Sequence, residues 1–215
     1  MTSPVINVFG FKIELHWSLI FIIFIAFATN NVLFWGAFLL FTLLHEMGHI
    51  VAARLCGLKT DKITLFCLGG FAFAEIPSCP KKYFLFVLGG PLVNLLLIPF
   101  TLLLPVECMI ANLLLLINFI PVYSLDGGHL LRIVLNHYLG KTKGDTWTVY
   151  VGRTCIILAL AFLVYFGNVS LIVLGVFYAW LHWLDCNKLL SETQLLNNIN
   201  DIKSTLRKIS RTVYK

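Results

Sequence analysis

Six apolar runs separated by short polar links dominate the pattern of hydrophobic and polar residues along the chain. They lie at about 15–29, 32–55, 83–104, 107–123, 149–166 and 169–186. Several are shorter than the roughly 20 residues that cross a bilayer without tilt. We therefore predict an all-α polytopic membrane protein with about six transmembrane helices.

Two further segments have a different period. Residues 5–15 and 61–76 alternate loosely between apolar and polar positions and contain Thr, Phe and Gly. Alternation over short stretches is typical of β-strands rather than helices. We expect these segments to form short strands on the cytoplasmic side of the membrane.

The distribution of charge supports the membrane class and sets a topology. Of the 215 residues, 59% are hydrophobic and 12% are charged, whereas about a quarter of a soluble domain is charged. All 16 Lys and Arg lie at the two ends or in the segments 54–82 and 132–153, and the links at 30–31, 105–108 and 167–168 contain none. By the positive-inside rule, both termini are cytoplasmic. Because these charges are spread between apolar runs, we expect no nucleic-acid partner.

The second apolar run contains the motif His45-Glu46-Met47-Gly48-His49. Residues four apart share one face of a helix, so His45 and His49 can present two imidazoles to one metal ion. Glu46 stands beside the first imidazole, where its carboxylate can take a proton from a zinc-activated water. Ionisable groups within an apolar run are costly unless they are paired, face a cavity or bind metal. A metal site is favoured, and a hydrogen-bonded polar cluster between helices is the alternative.

Asp126 is the candidate for the third protein ligand that a catalytic zinc site needs. It follows the fourth run, where Pro121 breaks the apolar pattern, and it precedes Gly127-Gly128. A broken backbone at membrane depth is tolerated where it is buried in protein or lines a wet cavity. From these residues alone, Asp126 is equally a metal ligand or the N-cap of a helix at His129–Leu139.

Several motifs occur in the order typical of one known family. HEMGH in an early span is followed by an Asn-x-x-Pro-x-x-x-x-Asp-Gly segment, and the segments Phe11–His16, Gly69-Gly70 and Gly89–Asn94 also match. Over about residues 5–186 the chain resembles the site-2 protease family of intramembrane zinc metalloproteases. The resemblance implies six spans with a small membrane-associated β-sheet on the cytoplasmic side. It also implies one zinc ion per chain, held by His45, His49 and Asp126, with Glu46 as the catalytic base.

The resemblance further implies where a substrate binds. The implied substrate-binding residues are Asn94, Asn118, Pro121, Gly69 and Gly70, of which the two asparagines match positions that contact substrate or stabilise an oxyanion. An exposed edge of the sheet would bind an unwound substrate as an added strand, because a helix hides its peptide bonds. The alternative is that the strands only cover the helix bundle.

Three positions depart from the family pattern without removing a ligand. Ser124 stands where many members have Pro, Gly89 where Ala is frequent, and His129 where Arg is common. We expect His129 to support the site rather than to bind the metal.

The implied function is cleavage of transmembrane segments of membrane-tethered proteins, as in regulated intramembrane proteolysis. His49 precedes Arg54 by five residues, which places the cut near the cytoplasmic face of a bacterial cytoplasmic membrane. The implied substrate is a single-span protein such as an anti-sigma factor or a membrane-bound transcription factor precursor. A transporter with a metal path is a second hypothesis, although the sequence has no further series of acidic residues across the membrane. A non-catalytic binder of membrane segments is a third, and it has no need of Glu46.

The last segment of the chain, residues 187–215, differs in pattern from the predicted protease core at 1–186. From Leu195 to Val213, apolar residues recur at alternating steps of four and three, and Lys and Arg flank them. This pattern predicts a basic amphipathic helix on the anionic inner leaflet of the bilayer. Self-association or pairing with a partner as a coiled coil is the alternative.

Overall fold

Seven α-helices and four β-strands are present in the described part of the chain. The computed structural model describes residues 5–8, 11–66, 69–74, 77, 79–165 and 169–213, with the backbone alone described at 6–8, 11, 61, 69–74, 169–174 and 205–213. The strands are β1 (Val5–Val8), β2 (Phe11–Leu15), β3 (Thr60–Phe66) and β4 (Gly69–Ala74). The helices are α1 (Leu19–Ala28), α2 (Val32–Leu55), α3 (Pro80–Thr101), α4 (Val106–Leu115), α5 (Asp126–Leu139), α6 (Lys141–Tyr165) and α7 (Val169–Val213), and a 3-10 turn follows α4 at Leu116–Phe119.

Helix α2 is the centre of the first compact unit, residues 1–119, and it packs against α1, α3, α4 and β3. At its start the Asn31 side chain accepts a hydrogen bond from the Phe34 N–H, which satisfies one of the free donors of a helix end. At its end Gly57 has a φ of +72°, and the Leu58 N–H donates to the Ala53 carbonyl. This turn is a Schellman motif, in which glycine is favoured because other residues are strained at positive φ.

Small residues allow α2 and α3 to approach closely. A Cβ atom added to Gly48 would lie 2.4 Å from the Gly89 carbonyl oxygen, and one added to Gly89 would lie 2.5 Å from the Gly48 carbonyl oxygen. Helices packed in membranes commonly use small residues for such backbone contact. Gly89, which departs from the frequent Ala of the family pattern, is therefore required by its neighbour. Nearer the start of α2, a buried apolar cluster joins this helix to α4 and consists of Ala37, Phe41, Cys108, Ala111 and Leu115.

The four strands form one sheet in the order β1-β2-β3-β4. The pairs β1–β2 and β3–β4 are antiparallel, and β2–β3 is parallel. Ile13, Ile63 and Leu65 from the middle strands pack with Ile50 of α2 in a buried cluster. The predicted strand segments are confirmed, each as an antiparallel pair. Within the described residues, β4 has β3 as its only paired strand.

The second compact unit, residues 120–215, contains α5, α6 and α7. The Asp145 side chain of α6 is fully buried and accepts hydrogen bonds from side chains of α5 and α7. Arg132 Nε donates at 2.6 Å, Asn136 Nδ2 at 2.9 Å and Thr193 Oγ1 at 3.1 Å. A buried carboxylate is tolerated when its acceptor sites are filled in this way. The bonds hold α5, α6 and α7 together within this unit.

Helix α7 is 45 residues long and runs through residue 186 without a break. The residues of the predicted tail are therefore helical up to Val213 and continue the helix that contains the sixth apolar run. The division of the chain at residue 186, and the placement of the tail on the bilayer or in a coiled coil, stay predictions.

Three helices of the described chain, α2, α3 and α6, are long and apolar enough to cross a membrane. Helix α1 and the segment 106–119 are apolar but shorter. Helix α1 has 10 residues because its predicted run starts with the last residue of β2 and a turn at residues 16–18, so it spans about 15 Å of a hydrocarbon core of roughly 30 Å. Mostly helical membrane architecture is confirmed, whereas the count of six spans stays a prediction.

Large apolar side chains face outward on these helices. On α1, Phe24 and Phe27 are 71% and 72% exposed, and on α6, Ile157 and Phe162 are 65% and 62% exposed. Soluble monomers rarely expose contiguous apolar patches of this kind. The outer surface is therefore suited to contact with lipid.

Candidate metal centre

The HExxH residues lie on one side of α2, inside the first compact unit. His45, Glu46 and His49 are 3%, 7% and 6% exposed. They are buried in a helix that is otherwise apolar, where ionisable groups need partners or a metal ion. Because His45 and His49 are one helical turn apart, both imidazoles point toward α3.

Hydrogen bonds at the outer nitrogens determine where the two rings carry their protons. His45 Nδ1 lies 2.7 Å from Asn94 Oδ1, and His49 Nδ1 lies 2.9 Å from the Phe86 carbonyl oxygen. Both oxygens only accept, so each neutral ring carries its proton on Nδ1. The Gly90 N–H also points at His49 Nδ1, from 3.3 Å, but the Phe86 oxygen is closer, at 2.9 Å, and favours the proton on Nδ1. Both Nε2 atoms therefore present a lone pair.

The two Nε2 atoms face one another at 3.3 Å. Two unprotonated ring nitrogens at this distance repel one another, and a cation bound beside them relieves the repulsion. Two nitrogen ligands at the usual zinc distance in tetrahedral geometry are separated by about 3.3–3.4 Å. The imidazole pair thus fits zinc in the orientation of the rings and in their spacing.

An acidic group completes a set of three donors. The ligand atoms of His45, His49 and Asp126 lie within 4.8 Å of one another, and among the described residues this is the group able to hold a metal ion. Two imidazoles and a carboxylate, with a fourth position left open, form a donor set typical of catalytic zinc. Helix α5 begins at Asp126, and Leu125 occupies the cap position. The alternative role of Asp126 as N-cap of a helix at His129–Leu139 is therefore wrong, because the helix begins three residues earlier.

The loop before Asp126 is held by turns and by side chains of the second unit. Leu125 N donates to the Val122 carbonyl at 2.8 Å, and a Cβ on Gly128 would lie 2.1 Å from the Val122 oxygen. Glycine at 128 is therefore required for the loop to fold back over the start of α5. Ser124 Oγ donates to Asp185 Oδ2 at 2.9 Å, so the residue that departs from the family's Pro ties the loop to α7. His129 packs against the Tyr123 ring in the same unit.

Gly90 leaves room for the metal. A Cβ atom at this position would lie 2.2 Å from His49 Nε2 and 2.8 Å from His45 Nε2. We expect Gly90→Ala to lower zinc affinity by at least about tenfold. This is the lower end of the range observed when residues around a metal site are changed. Zinc affinity is measured by chelator competition on the purified protein.

Gly36→Ala is the matched control for this variant. It places the same methyl group on α2, where a Cβ meets nothing within 4 Å. Zinc affinity in Gly36→Ala is expected to equal that of the wild type. Equal affinities in Gly90→Ala and Gly36→Ala would contradict the assignment of Gly90 to the metal cradle.

The residues expected to bind substrate occupy different surroundings. Asn94 is fully buried and faces His45, whereas Asn118 Nδ2 lies 3.4 Å from His45 Nε2, next to the metal position. Pro121 is half-buried at the end of the fourth run, and the backbones of Gly69 and Gly70 begin β4. Their roles toward a substrate stay predictions.

Sequence reasoning missed three contributors to the centre. The Phe86 carbonyl left no local signal, because a backbone oxygen acquires its role only through packing, and Gly90 lay in the matching segment Gly89–Asn94 without a role of its own. Asn112 is a polar residue within an apolar run, and that pattern was a usable signal.

The fold and the donor set indicate a metalloenzyme of membranes, because helices long and apolar enough to cross a bilayer occur together with two imidazoles and a carboxylate that could hold a metal ion. The model of Peptidase family M50 matches residues 33–106. The Zinc metalloprotease MJ0392 of Methanocaldococcus jannaschii is 29% identical over 193 residues, which cover 80% of this chain and 56% of that protein. The protein Rip3 of Mycobacterium tuberculosis is 30% identical over 186 residues, which cover 69% of this chain and 46% of that protein.

The solved structure of the site-2 protease from Methanocaldococcus jannaschii is similar throughout, with a TM-score of 0.59 and 25% sequence identity over 87% of this chain and 95% of that one. The chain belongs to the site-2 protease family, Peptidase family M50. Members are zinc metalloproteases of membranes, in agreement with the donor set and the apolar helices. The chain spans about half the length of the curated relatives it matches.

Proposed function

We propose that this protein is an intramembrane zinc endopeptidase that cleaves transmembrane segments of membrane-tethered proteins near the cytoplasmic face. The observation that carries the proposal is the pair of buried Nε2 atoms of His45 and His49, 3.3 Å apart, with the buried Glu46 next to His45 in the sequence. Ionisable residues inside an apolar helix mark functional sites, and two imidazoles with a neighbouring carboxylate are the groups that a zinc-dependent hydrolase uses.

Each polar group has a role in this proposal. His45, His49 and Asp126 would hold one zinc ion. Zinc in such a site activates water and polarises a carbonyl group. The Glu46 carboxylate accepts the proton of the attacking water and returns it to the leaving amine. Asn118, with its amide 3.4 Å from His45 Nε2, is placed to donate to the carbonyl oxygen as negative charge develops there.

The depth of the site follows from the charge pattern. Arg54 lies in the last turn of α2, five residues beyond His49. A cationic side chain at a helix end marks the cytoplasmic interface, so the zinc lies closer to that face than to the midplane. We place the protein in the bacterial cytoplasmic membrane with both termini in the cytoplasm. The basic tail either binds the inner leaflet or pairs with a second copy.

The proposed substrate is a single-span protein, such as an anti-sigma factor or a precursor of a membrane-bound transcription factor. In cells, the inactive variant Glu46→Gln should cause such proteins to accumulate in the membrane uncut. Quantitative proteomics of membranes from cells with wild-type or variant protein measures this difference. An identical set of membrane proteins in the two strains would contradict the proposal.

We further propose that the substrate adds as a strand to β4, starting beside Gly69 and Gly70. Among the described strands β4 is at an edge of the sheet, and a strand edge offers unpaired backbone groups to an unwound peptide. A substrate peptide with N-methyl groups on two alternate residues should be cut about tenfold more slowly, because two lost backbone bonds are worth about 1–3 kcal/mol together.

The control is the same peptide with its two N-methyl groups moved by one residue, onto residues whose N–H groups point away from the neighbouring strand. Its cleavage rate should match that of the unmodified peptide. Equal rates for both registers would exclude strand addition without affecting the assignment of the zinc site.

A further inference from the structure

A chain of buried amides connects α4 to the first zinc ligand through α3. His45 Nδ1 lies 2.7 Å from Asn94 Oδ1, Asn94 Nδ2 donates to Asn112 Oδ1 at 2.9 Å, and Asn112 Nδ2 donates to the Asn94 carbonyl oxygen at 3.0 Å. Asn94 and Asn112 are fully buried. Amides in an apolar interior are costly unless their polar atoms form hydrogen bonds, and here the two asparagines form hydrogen bonds with each other.

The network leaves one orientation for each amide. The Asn94 backbone carbonyl can only accept, so the NH2 group of Asn112 must face it. The side-chain oxygen of Asn112 then faces the Asn94 side chain, so the NH2 group of Asn94 must donate a hydrogen bond to it. The remaining atom of Asn94, Oδ1, is therefore the one that faces His45. Since that oxygen only accepts, the His45 ring carries its proton on Nδ1, and Nε2 is the unprotonated nitrogen that would bind the metal.

Removing the Asn112 amide removes this constraint. The Asn94 side chain would then be free to turn over and present its NH2 group to His45. A donor at Nδ1 favours the other tautomer, in which the proton is on Nε2, where the metal binds. Zinc would then have to displace that proton as well as reorient the amide.

We infer that Asn112 is a positioning residue that sets the tautomer of His45 through Asn94 and thereby keeps Nε2 ready for zinc. It does not touch the metal or the substrate. The inference rests on the proposed zinc site and adds a residue outside the HExxH and Asp-Gly segments. Partners of this kind, which orient a metal-binding histidine, contribute about 10–100-fold to metal affinity.

The test compares Asn112→Leu with wild type, using the full chain purified in detergent. Zinc affinity is measured by chelator competition and is expected to fall about 10–100-fold. The metal-free protein, labelled with 15N at its histidines, is examined by NMR, with His45→Gln used to identify the His45 signals. Wild type should show His45 protonated at Nδ1, and Asn112→Leu should show a gain of the Nε2-protonated form.

Thr101→Val is the matched control, because it also removes a buried polar group from this part of the bundle. The Thr101 hydroxyl donates within α3 to the Ile98 carbonyl and has no link to His45. Its zinc affinity and His45 signals should match wild type. If Asn112→Leu is not recovered folded, Asn112→Ala is measured in the same way, since it removes the amide without adding bulk.

A purely structural role for Asn112 predicts a different result. The variant would then melt at a lower temperature while its folded fraction kept wild-type zinc affinity and the wild-type tautomer, which would overturn the inference. Neither measurement needs peptide cleavage. A wild-type protein that binds zinc but cuts no substrate would therefore contradict the proposed protease function and leave this inference standing.

Discussion

Glu46→Gln is expected to lower the rate of substrate cleavage by about 10²–10⁴-fold, the usual contribution of a general base. Glutamine has nearly the same shape as glutamate but cannot accept a proton at neutral pH. Because His45, His49 and Asp126 form the donor group, zinc content and folding should be unchanged. Cleavage of a single-span reporter by the purified protein, together with elemental analysis for zinc, measures both effects.

Glu107→Gln is the matched control for this variant. It makes the same chemical change in the first turn of α4, away from the HExxH motif in sequence, and is expected to leave the cleavage rate at the wild-type value. Full activity in Glu46→Gln would exclude Glu46 as the base. Loss of zinc together with activity would instead indicate that Glu46 is needed for metal binding.

Asp126→Ala is expected to lower zinc affinity strongly, because it removes a metal ligand. Loss of a residue that only orients a ligand already lowers affinity by about 10–100-fold, and the effect of Asp126→Ala should be larger. A zinc ion with two protein ligands lacks the third bond that catalytic sites use, and the two imidazoles on α2 would remain as the only protein donors of the group. Zinc stoichiometry after dialysis against a weak chelator is the direct measurement.

The control for this loss is Glu192→Gln, which removes an exposed acid on α7 in the same compact unit. Zinc stoichiometry in this control should equal that of the wild type. If Asp126→Ala retains full zinc after the same dialysis, Asp126 is not a ligand. Cleavage activity alone is a weaker readout here, because it would also fall if the Asp126 loop were merely displaced.

Helix positions were predictable because the period and the length of an apolar run are local properties of the sequence. The second, third and fifth apolar runs correspond to α2, α3 and α6, and the strand segments near residues 5–15 and 61–76 form paired strands. Helix ends were less predictable. Helix α6 begins at Lys141, eight residues before its apolar run, because its polar first turns are satisfied by partners such as Arg132 and Thr193 around Asp145.

The boundaries near the metal centre show the same limitation. Asp126 was ambiguous from sequence because a carboxylate before a helix suits an N-cap as well as a ligand. The backbone at residues 125–126 shows that α5 begins at Asp126 with Leu125 at the cap position. The resemblance to a family named Asp126 as a ligand, and the carboxylate belongs to a group of three side chains that could hold a metal ion.

The HExxH motif of residues 45–49 was determined by the sequence itself: helical spacing puts its two histidines on one face, and the apolar run around them makes them costly without a metal. The protonation of those histidines and the room for the metal were decided by tertiary structure. Gly90 keeps space open because α3 lies against α2, and Asn94 and Asn112 orient His45 because α3 and α4 meet beside it. A polar residue in an apolar run, such as Asn112, indicates a role, but its partners come from distant parts of the chain and are set only by packing.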